Sequence, residues 1–210
     1  MKTSRIVALG TLVLGLIVPL ASHAATPWSV RLRATYLETV DKSAAFSALG
    51  INFAADSVVI SDKLIPEIDI DYAFTDTLSA ELVLTIPQEH DVDLKGVGRL
   101  GSFKHLPPTL LLQYRPALAG KWRPYVGVGV NFTLIWDDEL SVAGVPLELE
   151  NYSVGVAAQA GVDYRLNERW HLNVDVKRAA LRTDVLAGGT ALTEAKLDPW
   201  LWAVGVRYDF

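Results

Sequence analysis

The chain has 210 residues, with 19 basic and 24 acidic side chains, a net charge of −5 and no cysteine. That balance excludes a nucleic-acid partner, which needs a basic footprint. It also requires any exported form to be stable without disulfides.

The first 24 residues read as a secretory signal peptide. Lys2 and Arg5 start it, Ile6 to Ala21 form an apolar stretch, and Ser22-His23-Ala24 supplies a small-residue cleavage site. The run is short for a membrane helix of ~20 apolar residues. Cleavage after Ala24 leaves residues 25–210 as a single domain. It removes two basic residues and no acidic ones, so the mature chain carries 17 and 24, a net of −7.

From residue 28 onward the dominant signal is strict alternation, the mark of a strand with two different faces. In the first segment Trp28, Val30, Leu32, Ala34 and Tyr36 alternate with Ser29, Arg31, Arg33, Thr35 and Leu37. In the second, Leu64, Pro66, Ile68, Ile70, Tyr72 and Phe74 alternate with Ile65, Glu67, Asp69 and Asp71. The third sets Leu78, Ala80, Leu82, Leu84 and Ile86 against Ser79, Glu81, Val83, Thr85 and Pro87. The fourth sets Leu106, Pro108, Leu110, Leu112 and Tyr114 against His105, Pro107, Thr109, Leu111, Gln113 and Arg115. The fifth, 122–136, is the clearest. Trp122, Pro124, Val126, Val128, Val130, Phe132, Leu134 and Trp136 oppose Arg123, Tyr125, Gly127, Gly129, Asn131, Thr133 and Ile135. Segments 152–164, 170–177 and 200–210 repeat the pattern.

Eight such strands predict an all-β fold, an eight-stranded antiparallel transmembrane β-barrel. One face of each strand is apolar with aromatic ends, as a lipid-facing band between two girdles requires. The opposite face holds Arg, Asp and Glu, a poor core for a soluble sandwich. Tight links at 75–77, 116–121 and 166–168 predict short periplasmic turns. Longer ones at 38–62, 88–103, 137–151 and 182–196 predict outer loops. Both termini then lie on the periplasmic side. The aromatic ending at Phe210 resembles the signal read by the outer-membrane assembly machinery, which is the partner it predicts. Outer-membrane lipid and lipopolysaccharide are the other expected contacts.

Several stretches carry a family resemblance: His105-Leu-Pro-Pro-Thr-Leu110, Arg123-Pro-Tyr-Val-Gly127, Gly161-Val-Asp-Tyr164, Leu197-Asp-Pro-Trp200 and the closing Gly205-Val-Arg-Tyr-Asp-Phe210. They resemble the OmpW family of outer-membrane proteins, to which AlkL is related. The match is stronger from about residue 103 than before it. The resemblance implies an eight-stranded barrel in the Gram-negative outer membrane. It also implies passage of small hydrophobic molecules, with lateral release into the bilayer. Lys177 and the acidic run Glu67, Asp69 and Asp71 depart from the family's expected pattern.

Sorting inward positions by depth predicts two zones. Arg31, Arg33, Asp69, Asp71, Glu81, Arg123, Asp163, Asp175 and Arg207 lie toward the periplasm and should pair into a charged plug, because an eight-stranded barrel is barely wider than its own side chains. Leu37, Ile65, Val83, Pro87, Pro107, Leu111, Ile135, Leu181 and Leu201 lie toward the outside and form a candidate apolar ligand site. An apolar ligand does not cross such a plug cheaply and has to leave sideways. Proline removes a ladder hydrogen bond, so Pro87, Pro107 and Pro108 mark the candidate lateral gate, between the third and fourth strands. The alternative is a structural or surface-receptor barrel, contacted by phage, colicin or host, without transport. A barrel enzyme is not expected: no Gly-x-Ser-x-Gly elbow is present, and His90, His105 and His171 fall at different depths. Asp137-Asp138-Glu139 lacks the spacing of a calcium loop. Neither metal nor cofactor is expected.

Overall fold

A computed structural model describes residues 26–40, 42–48, 51–142 and 144–210; the predicted signal peptide, residues 1–24, lies outside these. Eight strands close the barrel: β1 Trp28–Glu38, β2 Lys63–Ala73, β3 Leu78–Thr85, β4 Thr109–Tyr114, β5 Trp122–Val142, β6 Tyr152–Arg165, β7 Trp170–Ala179 and β8 Trp200–Asp209. Each pairs antiparallel with its sequence neighbours, and β8 returns to β1 from Ser29↔Asp209 to Glu38↔Trp200. Closure leaves no sheet edge, the condition for carrying backbone through lipid.

The strands are inside out relative to a soluble protein. Val128 is 65% exposed and Val156 72%, whereas Arg31, Asp69 and Glu81 are fully buried. At the periplasmic rim three cross-strand Trp–Tyr pairs meet edge-on: Trp28–Tyr72, Trp122–Tyr164 and Trp170–Tyr208, at 4.7–4.9 Å between ring centroids. Tyr36, Phe132, Tyr152, Trp200 and Trp202 form the outer girdle. Such belts place amphipathic rings at headgroup level. The turns are fixed locally. Thr75 Oγ1 accepts from the backbone N–H groups of Thr77 and Leu78, and Asn167 Oδ1 accepts from those of Arg169 and Trp170. These are Asx- and ST-type turns that need few residues.

The outer connections depart from expectation: they are largely strand rather than loop. Segments Val58–Ile60, Gln88–Leu94, Gly98–Leu106, Val145–Leu149, Arg182–Ala187 and Thr190–Lys196 pair with one another and with the outer half of β5. Lys42–Ser43 joins Thr190–Lys196, and Ser43 O accepts from Asp56 N–H, so the ring almost closes on itself. β5 reaches this level through a bulge at Trp136–Glu139, where Asp137 takes φ 49°. The cause is burial. Val58, Ile60, Val92, Leu94, Leu100, Phe103, Leu140, Val142, Leu147 and Leu149 all point inward and form one apolar core. Backbone beside such a core needs internal hydrogen bonds, and the ladders supply them. A second, shorter barrel-like collar thus stands on the membrane barrel.

The predicted fourth strand, 105–115, is broken at Pro107 and Pro108. It becomes Gly98–Leu106 in the collar and β4 below.

Candidate functional site: an apolar cup above a charged plug

The plug begins as a problem of register. Asp71 of β2 sits directly opposite Glu81 of β3, two like charges across a ladder, an arrangement that costs stability. Arg31 resolves it. Its Nη1 donates to both Asp71 and Glu81 (2.7 Å to the latter), and Nη2 reaches Asp163 at 3.2 Å. Arg33 sits one layer above. Its Nη1 lies 3.0 Å from Glu67 and 2.6 Å from Asp69, and its Nη2 3.3 Å from Glu81. Its Nε donates to Asn173 at 2.7 Å. Lys177 caps this layer, 2.7 Å from Glu67 and 2.9 Å from Asp175. Below, Arg115 reaches Asp71 and Arg207 reaches Asp163.

Tyr125 stands at the centre. Its hydroxyl donates to Asp175 at 2.7 Å and accepts from Arg33 and Asn173, both at 2.9 Å. The Arg31 and Arg115 guanidinium groups lie 5.1 and 5.5 Å from its ring centroid, within cation–π range. The ring occupies the space over Gly161, its cross-strand partner, where a Cβ would come within 2.4 Å of the Tyr125 ring. Gln113 completes the packing, donating to Glu81 and Gln159. Buried charges survive only when paired in this way.

The structure brings together Arg31, Arg33, Asp69, Asp71, Glu81, Asp163, Asp175 and Arg207. Arg123 is a correction: it is exposed, makes no ion pair among the described residues, and lines an open vestibule of ≈ 420 Å³ beneath the plug. Glu67, Lys177, Tyr125, Asn173 and Gln113 belong to the plug but were not assigned to it. Their inward register was readable; their partners, up to 140 residues away, were not.

Above Lys177 the lumen turns apolar. Leu37, Ile65, Val83, Ala179, Leu181, Leu201 and Pro107 line a cavity of ≈ 30 Å³, with Glu67, Lys177, Arg178, Thr85, Thr109, Asn131 and His105 as its polar members. Leu111 packs with Val83, Ala157 and Ala179 at one side. Ile135 belongs to the collar core instead, and Leu181 bridges the two. The collar core holds a second void of ≈ 40 Å³, lined by Leu94, Phe103, Leu147 and their neighbours. Pro87 is the other correction: its ring is exposed and does not line the lumen.

The wall beside the cup is discontinuous. The β3–β4 ladder ends at Val83↔Thr109 and resumes in the collar at Gln88↔His105. Residues 84–87 thus face 106–108, four against three, with no ladder between them. On the other side the β2–β3 ladder ends at Glu67↔Thr85 and resumes at Ile60↔Val92. The Ile86–Pro87 segment is therefore unpaired on both flanks. The Gln88 side chain, folded back onto Ile86 O at 2.7 Å, is its local tie.

His171 sits at the periplasmic end, 3.0 Å from Asp209, while Ser102 bonds Glu89 in the collar.

A closed lipid-faced barrel with aromatic girdles, a plugged lumen and short turns on one side defines an outer-membrane β-barrel. The OmpW family model matches residues 28–210, and the chain belongs to that family. It is 37% identical over 190 residues to an uncharacterized outer-membrane protein of Sinorhizobium fredii, covering 88% of this chain and 80% of the relative. It is 35% identical to outer membrane protein W of Vibrio cholerae, covering 66% and 70%. The fold matches the crystal structure of OprG from Pseudomonas aeruginosa at a TM-score of 0.75 and 28% identity, covering 89% and 97%. It also matches the AlkL structure at 0.70, with 23% identity and coverage of 91% and 94%.

Proposed function

We propose that the barrel admits small hydrophobic molecules from outside through the collar core, receives them in the cup, and releases them sideways into the bilayer. One observation carries this reading: an apolar column ends on a charged floor at the height where the wall loses its ladder. Burying a neutral apolar molecule in the column is favourable, while displacing the plug's ion pairs is costly. The unpaired segment beside Pro87, Pro107 and Pro108 is then the least-resistance exit. A 28% identical relative in Pseudomonas aeruginosa is named for a dibenzothiophene metabolism operon, which fits an apolar cargo.

The chain has no cysteine, so a Leu84→Cys, Leu110→Cys pair is the sole thiol pair. Both side chains face lipid, on either flank of the break. Joined by a short reducible thiol crosslinker in intact cells, the pair is expected to reduce naphthalene uptake to the level of cells lacking the protein. Reduction is expected to restore it. Unchanged uptake with the link formed refutes the lateral exit. Uptake equal with and without the protein favours a surface-contact role instead.

A further inference from the structure

His105 stands out among the residues around the cup. It lines the cavity next to Pro107, is 1% exposed, and neither of its ring nitrogens has a hydrogen-bond partner among the described residues. Its neighbours explain its position but not its polarity. The ring meets His90 edge-on at 4.8 Å between centroids and Phe103 at 5.9 Å, contacts that a phenylalanine would make equally well. His90, by contrast, is anchored through Nδ1 to Ser61 O at 2.6 Å.

His105 lies just beyond the outer girdle, opposite Ile135 and Gln88. Burial is the main cause that pushes its imidazole down to about 3, with His90 adding to it. At neutral pH the ring is therefore uncharged and offers one N–H donor and one bare acceptor. The other polar groups around the cavity are engaged, Lys177 with Glu67, Asn131 with Thr109, Thr85 with Pro66 O and Arg178 over the Trp200 ring, so the uncharged donor–acceptor pair of His105 is a free recognition element for one neutral polar group. It is unsuited to an ion, whose desolvation a single neutral ring does not offset.

We propose that the cup is selective for apolar molecules bearing a single neutral hydrogen-bonding group, a hydroxyl or carbonyl, and that His105 is the residue that reads that group. This rests on the hydrophobic-passage reading and narrows it from hydrocarbons in general to their oxygenated relatives. A hydroxyl serves either tautomer of the ring, donating to the bare nitrogen or accepting from the N–H. The apolar body is placed against Leu37, Ile65, Val83, Leu181 and Leu201, whose side chains have to move apart to admit it, because the cavity of ≈ 30 Å³ is water-sized as it stands. Because His105 stands beside Pro107, the polar group is read at the gate and not at the floor.

The test uses the full chain in lipid nanodiscs, with naphthalene and 2-naphthol as probes. Affinity is read from probe fluorescence after subtraction of protein-free discs, and ring contact from ¹⁵N resonances of labelled histidine. 2-Naphthol is expected to bind about tenfold tighter than naphthalene, as one net hydrogen bond implies, and to shift the His105 ring nitrogens. His105→Phe is expected to erase the preference by weakening 2-naphthol alone; His105→Asn is expected to keep part of it. Equal affinities in the wild type, or an unaltered preference in a folded His105→Phe barrel, overturn the proposal while leaving hydrophobic binding intact. Should the phenylalanine variant not fold, unshifted wild-type His105 resonances under saturating 2-naphthol overturn it equally. Failure of both probes to bind sinks the passage reading as well.

Discussion

Below Thr109 the barrel's interior holds Arg31, Arg33, Asp69, Asp71, Glu81, Asp163 and Asp175, all buried and bridged to one another. Above it the interior holds Val58, Val92, Leu94, Phe103, Leu140 and Leu147, with no ion pair among them. The same chain thus builds two cores on opposite principles. In the membrane, lipid already surrounds the outer face, so apolar side chains gain little by turning inward. Polar groups have nowhere else to go, and the lumen collects them. In the collar, water surrounds the outer face, and ordinary hydrophobic burial returns. Specific charge geometry holds the lower core; shape and area hold the upper one. The transition falls at the cup, which is why an apolar site ends on a charged floor.

That contrast predicts unequal responses to mutation. The largest belongs to the plug. Arg33→Met removes the cation shared by Glu67, Asp69 and Glu81 and strands buried carboxylates, at a cost of about 3–5 kcal/mol. Urea unfolding in lipid vesicles measures it. Adding Glu67→Gln is expected to recover part of the loss, since the two sites are coupled. A loss below 1 kcal/mol would show that the plug is a solvated lining and would remove the contrast.

The collar responds differently. Leu94→Ala opens a cavity in a core that is apolar throughout, costing about 2–3 kcal/mol. Here the loss is local. Hydrogen exchange is expected to rise in 88–94, 140–149 and 185–195, with the membrane strands unchanged. Equal loss of protection in β6 and β7 would mean that collar and barrel unfold as one unit.

How much of this the sequence disclosed follows the same division. The membrane strands were legible because lipid enforces a clean period of two over ten or more residues, as in Trp122–Trp136. Plug membership followed from parity along each strand. It erred at Arg123, which lies close enough to the periplasmic mouth to turn into water. The collar was not legible. Its strands are as short as Val58–Ile60, and polar residues such as Asp91 and Asp93, which alternate with Val92 and Leu94, resemble loop composition. Only pairing between segments distant in sequence makes them strands. The break at Pro107–Pro108 was readable because proline has no N–H to give the ladder. The unpaired β2 flank carries the same mark in Pro66, next to the last rung at Glu67, but its β1 partner Ala34 keeps it in a strand and hides the break.

The smallest effect expected is a response to acid confined to the collar. Burial holds the His90 imidazole below its ordinary range, with Lys63 adding to this and Ser61, Asp62 and Asp91 opposing it. Burial also pushes His105 down to about 3. A histidine lowered in the folded state binds its proton more readily once the segment unfolds. Stability is therefore fully present above the unfolded value near 6.5 and falls as pH drops through it. For His105 the loss runs at about 1.4 kcal/mol per pH unit below that point. Moving from pH 7.5 to 5 is thus expected to weaken exchange protection in 88–94 and 98–106 by about 2 kcal/mol, after correction for intrinsic exchange rates. His105→Phe, which cannot take up the proton, is expected to flatten most of that slope and leave the remainder to His90. Protection that stays level with pH in the wild type would mean that His105 keeps water at its nitrogens in the folded state, and the upper core would then be less dry than its side chains imply.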